Sequence, residues 1–217
     1  MTHNGQLIFT KVLPVKREVD VFVAGGGPSG IAAAVAAARG GCSVFLAEGQ
    51  TCLGGLGTCG LIPVFMQFGD GVNFLAAGIG KDVLDRLGTD VNDDIHDHVT
   101  VKPEAAKRVY DEMLQDYGVT FSLMTHLIAV EMEKDAPDRV SSVVLYAKSG
   151  IFAVKAKIYI DCTGDGDMAA MAGASFIKGD ENGKMMAGTL CSTWTGIDWG
   201  SVTRAYSDQA PPKEPGM

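Results

Sequence analysis

The hydrophobic positions of this chain change their spacing several times, and each change marks a predicted element. Val19 to Ala24 and Ser43 to Ala47 are short apolar runs, which are typical of buried strands. The Ala-rich stretch from Ile31 to Ala38 has high helix propensity, and Gly40 and Gly41 end it. A strand, a helix and a second strand in this order predict a βαβ unit with two parallel strands.

Later in the chain the pattern predicts two more helices and a series of strands. The segment 80–87 carries apolar residues at helical spacing, and Pro103 opens a longer amphipathic helix that Gly118 ends. The predicted strands are 119–124 and 127–132 (a pair or one long bent strand), 140–146 and 151–154 (a hairpin), and 157–161 (a further buried strand), followed by a short helix at 168–172.

The turn between the first strand and the first helix carries candidate chemistry. Gly25, Gly27 and Gly30 have the G-x-G-x-x-G spacing of a dinucleotide-binding unit. Gly25 permits the tight turn, Gly27 lets the backbone approach a pyrophosphate, and Gly30 lets the helix pack closely on the strand. Glu48 stands 18 residues after Gly30, where a carboxylate accepts hydrogen bonds from a ribose. Together these features predict a dinucleotide site.

Two further loops of small residues follow predicted strands. The first, Gly54 to Thr58, comes just after Glu48, and its glycines allow backbone N–H groups to point at oxygen atoms. The second, Cys162 to Asp167, lies between the last predicted strand and a helix. Asp165 and Asp167 are interpreted either as acids that face a cofactor or as helix N-cap residues, and both interpretations stay open.

Composition and charge narrow the class of protein. The 217 residues carry a formal net charge of −8, which argues against a nucleic-acid partner. The most apolar helical stretch is too short to span a bilayer, and the N-terminus lacks the pattern of a cleavable signal. We therefore expect a soluble, cytoplasmic protein with neither a membrane nor a nucleic-acid partner.

The cysteines show no zinc-like spacing, and no metal site is predicted. The chain has five of them, at Cys42, Cys52, Cys59, Cys162 and Cys191. We expect reduced, mostly buried thiols. The nearest pair is Cys52 and Cys59, and a redox dithiol is the alternative interpretation.

Taken together, the motifs GGGPSG (25–30), GGLGT (54–58) and IDCTGDGDMAAMAGA (160–174) resemble one group of proteins. This group is the FAD-dependent oxidoreductase family, with its GGG-x-[AS]-G, GG-x-[AG]-T and DATGDGD motifs. The resemblance covers about residues 15–200, and Cys162 stands where the family usually has alanine. It implies a glutathione-reductase-like domain that binds FAD non-covalently, since the GG loop has no His-containing attachment pattern.

The resemblance also implies a set of cofactor contacts. They are Gly25, Gly27, Pro28, Ser29 and Gly30 at the FAD pyrophosphate, Glu48 at the adenosine ribose, Gly55, Gly57 and Thr58 along the pyrophosphate and flavin side, the backbone of Leu127 or Ile128 at adenine, and Thr163, Gly164 and Asp165 where the chain meets the cofactor again.

The fold class expected is α/β: a Rossmann-like FAD-binding domain with a central parallel sheet, an antiparallel β-hairpin or meander insertion, and an incomplete second domain. We place the FAD-binding domain at residues 1–175, with a helical insertion at about 71–118, and the start of a substrate or partner-contacting domain at 176–217. Members of the family run further and return with a Gly-rich strand and helix over the flavin. We therefore expect a missing C-terminal half, or a second polypeptide in an oligomer, to complete the site.

The predicted function is an FAD-binding oxidoreductase, or the FAD-binding part of one, that acts on an unknown small molecule through its flavin. The alternatives are a non-catalytic flavin-binding subunit that needs a partner chain and an NAD-dependent dehydrogenase. A thiol–disulfide flavoprotein with C-x-x-x-x-C in this loop is disfavoured, because the partner of Cys59 would stand at Val64. No catalytic base is identified. His96, His98 and His126 are candidates by type only.

Overall fold

A computed structural model of the chain describes residues 2–3, 6–7, 9–66, 68–88 and 99–203. In chain order the strands are β1 (Thr2–His3), β2 (Gln6–Leu7), β3 (Val15–Ala24), β4 (Val44–Ala47), β5 (Val64–Phe65), β6 (Val99–Thr100), β7 (Thr120–Ser122), β8 (His126–Met132), β9 (Val140–Ala147) and β10 (Gly150–Asp161). The helices are α1 (Pro28–Arg39), α2 (Ile79–Leu87), α3 (Pro103–Asp116) and α4 (Asp167–Met171), and Gly55–Gly57 form one 3-10 turn.

Six of the strands form one mixed sheet with the order β7-β4-β3-β10-β9-β8. Strands β7, β4, β3 and β10 run parallel, whereas β10, β9 and β8 form an antiparallel meander. Helix α1 connects β3 to β4, as the predicted βαβ unit requires. The predicted fold class, a Rossmann-like parallel sheet with an antiparallel meander, is therefore confirmed.

Two apolar clusters pack on opposite faces of this sheet. Val21 and Val23 of β3 belong to a cluster with buried side chains of α1, α2 and α3. Phe22 and Ala24, which point the other way along the same strand, belong to a second cluster with β9, β10 and α4. A parallel strand that is covered on both faces reads as a continuous apolar run, which is why the buried part of β3, residues 21–24, does not alternate with polar residues.

Strand β10 is longer than the sequence predicts. The segments 151–154 and 157–161, predicted as two strands, are continuous because β3 pairs with β10 from Ala153 to Asp161, whereas β9 pairs only with its first part, up to Val154. Phe152 pairs with Leu145 of β9, whereas Ile160 pairs with Val23 of β3. The strand thus carries the chain from the meander into the parallel sheet. Burial of the segment 157–161 is also less than predicted, since Ile158 is 56% exposed.

Strands β7 and β8 do not pair with each other and are not one bent strand, so that prediction is wrong. Strand β7 pairs with β4 at one end of the sheet order, and β8 pairs with β9 at the other end. The turn between them crosses the end of β4, where Thr125 donates its N–H to the Glu48 carbonyl oxygen at 2.9 Å. An alternating pattern specifies a strand but leaves its partner open, which explains the error.

Residues beyond α4 pack little against the rest of the chain. None of the residues from 174 to 203 is buried, and Trp194 and Trp199 are both exposed. The boundary at residues 175 and 176 therefore stays a prediction. His96 and His98 lie outside the described residues, as do residues 204–217.

Two features are absent from the part of the chain that the structure describes. None of its helices is long and apolar enough to cross a membrane. Nor do its His, Cys, Asp and Glu side chains form a group of three or more that could hold a metal ion.

We expect Gly30→Ala to destabilise the fold, because a Cβ atom at Gly30 would lie 1.8 Å from the carbonyl oxygen of Gly25. Helix α1 would have to move away from β3, and overpacking of this kind costs about 1–3 kcal/mol. The free energy of unfolding, measured by urea denaturation, checks this value.

Gly27→Ala is the matched control, because a Cβ atom there meets no other atom within 4 Å. Its expected cost is below about 1 kcal/mol, the usual penalty at a helix N-cap. Equal stability of the two variants would contradict the close contact between α1 and β3.

Candidate functional site

Three loops lie at the carboxyl ends of parallel strands β3, β4 and β10, and hydrogen bonds join them. The Cys162 N–H donates to the Ala24 carbonyl at 2.8 Å, which ties the third loop to the first. The Gly54 N–H donates to the Gly26 carbonyl at 2.8 Å, which ties the second loop to the first. The structure therefore brings together the three motifs singled out in the sequence. In open α/β sheets, ligands bind at this edge.

The first loop is closely packed everywhere except at one glycine. Gly25 has φ of +97°, and a Cβ atom on it would lie 2.2 Å from the Cys162 carbonyl oxygen. A Cβ atom on Gly26 would lie 2.6 Å from the Leu53 side chain. Gly27, in contrast, faces open space in front of the N-terminus of α1, where backbone N–H groups are left without helical partners.

Glu48, at the end of β4, stabilises the first loop through hydrogen bonds to the backbone. Its side chain is 7% exposed, and both of its carboxylate oxygens accept backbone hydrogen bonds. Oε2 accepts from the Gly26 N–H and Oε1 from the Gln50 N–H, each at 2.6 Å. Each oxygen keeps a second lone pair for a further donor. The structure shows Glu48 bracing the loop, and its contact with a ribose stays a prediction.

The second loop lies directly beside Gly27. Gly55 has φ of +53°, and a Cβ atom on it would lie 3.2 Å from Gly27 Cα. Gly54 packs on the ring of Tyr110 from α3, whose pKa burial raises to about 12. Helix α3 therefore packs against this loop through Tyr110. Gly57, further along the loop, is half-buried.

Thr58 holds the second loop in shape. Its side chain is 2% exposed, and Oγ1 donates to the Leu53 carbonyl at 2.7 Å. The hydroxyl of this predicted cofactor contact is therefore engaged inside the loop. A cofactor contact in this region would come from backbone groups of the neighbouring glycines.

The third loop is organised by Asp161, which the sequence analysis did not single out. One carboxylate oxygen, Oδ1, accepts from Thr163 N–H at 3.0 Å and Oγ1–H at 2.8 Å, and Oδ2 accepts from Ala169 N–H at 2.8 Å. Burial opposes ionisation, but these hydrogen bonds hold the pKa of Asp161 below its usual range. The signal for Asp161 was its position at the end of a strand, just before a turn and a helix.

Asp165 and Asp167, the two acids of this loop for which the sequence leaves two interpretations, are both exposed. The N-cap residue of α4 is Gly166, and Asp167 is the first helical residue, so neither Asp165 nor Asp167 occupies the N-cap position. Instead, Asp161 accepts a hydrogen bond from the start of the helix. Gly164, with φ of +91°, and Asp165 form the exposed tip of the loop, whereas Thr163 is half-buried below them.

The side chain of Ser29, in the first turn of α1, lies near Cys162 of the third loop. Burial is the larger effect on the Cys162 thiol and raises its pKa, and the interaction with Ser29 opposes that shift. Pro28 and Ser29 are both exposed.

The start of β8 lies close to Glu48, although it is distant in sequence. Ile128 stands at an irregularity in the pairing of β8 with β9, between the paired residues Leu127 and Ala129. The ring of His126 packs against Gly49, with Nδ1 2.9 Å from the place where a Cβ atom would stand. Nothing in the local sequence predicts this contact, because it depends on the path of β8 across the end of β4.

A parallel sheet whose carboxyl edge carries a glycine turn, a buried acid and two further glycine loops defines a dinucleotide-binding α/β protein. The model of the FAD dependent oxidoreductase family matches residues 20–215. The chain belongs to this family, and FAD is its cofactor. The family resemblance expected from the motifs is therefore confirmed.

Three solved structures of low sequence identity share this fold. A geranylgeranyl bacteriochlorophyll reductase-like protein from Thermoplasma acidophilum has a TM-score of 0.53 at 17% identity, over 72% of this chain and 42% of that one. THI4 of Thermovibrio ammonificans has a TM-score of 0.52 at 18% identity, over 71% and 61%. OxyS anhydrotetracycline hydroxylase from Streptomyces rimosus has a TM-score of 0.50 at 17% identity, over 75% and 35%.

These comparisons support the fold and show how much of each solved structure this chain covers. This chain spans 42% and 61% of the lengths of the first two structures. A search of curated proteins gave no match. The comparisons thus support the fold of this chain and do not identify its substrate.

We expect Glu48→Ala to lower the free energy of unfolding by about 1–3 kcal/mol, since it leaves one buried and one partly buried N–H group without an acceptor. Those groups belong to Gly26 and Gln50. Glu48→Gln, which keeps one acceptor oxygen, should lose less. Urea denaturation of both variants checks the order, and wild-type stability in the alanine variant would contradict the bracing role of Glu48.

Proposed function

We propose that this chain forms the FAD-binding part of an oxidoreductase in which hydride or electrons pass between the flavin and a small-molecule substrate. One observation carries the proposal. Of the four glycines from 25 to 30, Gly27 alone faces open space, and it does so in front of the N-terminus of α1. Free N–H groups and the positive end of the helix dipole favour a pyrophosphate at this place.

The residues present fit a dinucleotide in this position. We propose that the backbone from Gly25 to Gly30, with Pro28 and Ser29 at the start of α1, holds the pyrophosphate. Gly55 and Gly57 would flank it with backbone groups, because Gly55 lies beside Gly27. When FAD is bound non-covalently, it supplies the hydride or electron chemistry, and the chain positions it.

The adenosine end is proposed at the end of β4. Glu48 would accept a hydrogen bond from a ribose hydroxyl with its remaining lone pairs. The backbone of Leu127 or Ile128 would reach adenine, and the turn before β8 already contacts Glu48.

The opposite end of the cofactor is proposed beside the third loop. Thr163, Gly164 and Asp165 would meet it there, next to the Gly25 turn that packs on Cys162. Carboxylates repel phosphates, so Asp165 would face sugar hydroxyls or solvent. No catalytic base is assigned on this chain.

We further propose that a second polypeptide, or further C-terminal sequence, completes the flavin site. The segment from 174 to 203 supports this proposal because its large apolar side chains are exposed. Ile177, Met186 and Leu190 are 94%, 93% and 97% exposed, and exposed apolar surface of this kind is typical of surfaces that another structure covers.

Five free thiols favour a reducing compartment such as the cytoplasm.

A titration of the purified chain with FAD, ADP and NADH tests this function. We expect binding of both FAD and ADP, with similar affinities if the flavin end is not closed by this chain alone. Flavin fluorescence and calorimetry measure the two affinities. Tighter binding of NADH than of FAD would instead support a nicotinamide-dependent dehydrogenase.

Gly27→Val should weaken binding of FAD and ADP on the order of tenfold or more, a change of about 1.4 kcal/mol at the least. The added side chain would fill the open space in front of α1. Gly188→Val is the matched control, because Gly188 also faces open space but lies outside the three loops. Unchanged affinity in a stable Gly27→Val variant would show that the pyrophosphate lies elsewhere.

A further inference from the structure

The second loop brings two cysteine sulfurs together. Cys52 Sγ and Cys59 Sγ are 3.0 Å apart, although six residues separate the two cysteines in the chain. A disulfide bond is about 2.05 Å long, so the sulfurs need to approach by about 1 Å to form one. The sequence lacks the C-x-x-x-x-C spacing of a thiol–disulfide flavoprotein, but the fold of the loop brings Cys52 and Cys59 together without it.

Two buried residues fix this proximity. Leu53 follows Cys52 and is fully buried, and Thr58 precedes Cys59 and is 2% exposed. The Thr58 hydroxyl donates to the Leu53 carbonyl at 2.7 Å, so the two backbone positions are joined directly. The backbone that carries the two cysteines is therefore fixed, and this fixed backbone places their sulfurs in contact.

The surroundings give the two thiols different exposure. Cys59 is exposed, whereas Cys52 is half-buried, and burial together with its contact to Cys59 raises the pKa of the Cys52 thiol. The ammonium group of Lys107 on α3 interacts electrostatically with both sulfurs. The thiolate is the form of a cysteine that attacks a disulfide, and Cys59, the exposed member of the pair, is the one that a disulfide in solution can reach.

None of the other thiols has such a partner. The structure describes all five cysteines, and Cys42, Cys162 and Cys191 are not in contact with another sulfur. None of the five is fully buried, so the prediction of mostly buried thiols is wrong. Cys191 therefore serves as the reference for the reactivity of an isolated thiol in this chain.

We propose that Cys52 and Cys59 form a redox-active dithiol that exchanges with low-molecular-weight disulfides such as oxidised glutathione. The exposed Cys59 thiolate attacks one sulfur of oxidised glutathione, breaks its S–S bond and expels one glutathione thiolate. The Cys52 thiolate then attacks the Cys59 sulfur, closes the Cys52–Cys59 bond and expels the second glutathione thiolate. The two cysteines lose two electrons and two protons, and oxidised glutathione becomes two molecules of reduced glutathione.

The test uses a Cys42→Ser chain, because trypsin leaves Cys42, Cys52 and Cys59 on one peptide between Arg39 and Lys81. The chain is equilibrated in glutathione buffers of increasing oxidised fraction, quenched with acid, alkylated and digested. We expect the peptide to lose the mass of two hydrogen atoms and to escape alkylation. This should occur at oxidised fractions that leave Cys191 alkylated.

A second variant identifies the attacking sulfur. With Cys52→Ser added to the Cys42→Ser chain, the peptide should gain the mass of one glutathione on Cys59, because the resolving thiol is gone. Adding Cys191→Ser instead should leave the oxidation of the pair unchanged.

A third measurement separates the folded loop from the sequence spacing. In urea the pair is joined only by a flexible segment, so we expect half-oxidation to need about tenfold more oxidised glutathione. The proposal is wrong if native and unfolded chains oxidise alike, or if each cysteine takes up glutathione independently at the fraction that modifies Cys191. None of these measurements uses FAD, so their outcome is independent of the proposed function.

Discussion

Close packing of backbone against backbone at the end of β3 is the constraint on which the site depends. A Cβ atom on Gly25 would overlap the Cys162 carbonyl, and one on Gly30 would overlap the Gly25 carbonyl. Without side chains at these positions, β3, α1 and the third loop approach within hydrogen-bond distance of one another. Glycine is thus required at these two positions for packing, whereas at Gly27 its absence of a side chain leaves room for a ligand.

The buried carboxylate of Glu48 extends this arrangement to the second strand. It accepts hydrogen bonds from the N–H groups of Gly26 and Gln50, so it joins the end of β4 to the first loop. Hydrogen bonds to an ionised acceptor are among the stronger ones in proteins. The acid expected to recognise a ribose therefore has a structural role, and a ribose would meet oxygens that already accept backbone hydrogen bonds.

Much of the fold was predictable because its central unit is local in sequence. The strand, turn, helix and strand from β3 to β4 follow from apolar runs, three glycines and an Ala-rich stretch, each of which acts over a few residues. The edges of the sheet were not predictable in the same way. Strands β7 and β8 were recognised as strands, but their partners depend on contacts that periodicity does not encode.

The site shows the same division. The glycine motifs predicted which loops would meet, since parallel strands place their carboxyl ends at one edge. The bonds made by Glu48, Thr58 and Asp161 within the loops were not visible, because each depends on where a side chain points after folding. The contact of Cys52 with Cys59 was missed for a similar reason: it results from a bond between Leu53 and Thr58 rather than from spacing.

The central place of β10 in the sheet has a consequence for synthesis of the chain. Strand β3 emerges from the ribosome well before β10, yet β10 is one of its two neighbours and its residue Ile160 pairs with Val23. Pairings between such distant segments form slowly and leave strand edges exposed in the meantime. Nascent chains that end before β10 would carry an open, apolar edge on β3, which is the kind of surface that chaperones bind.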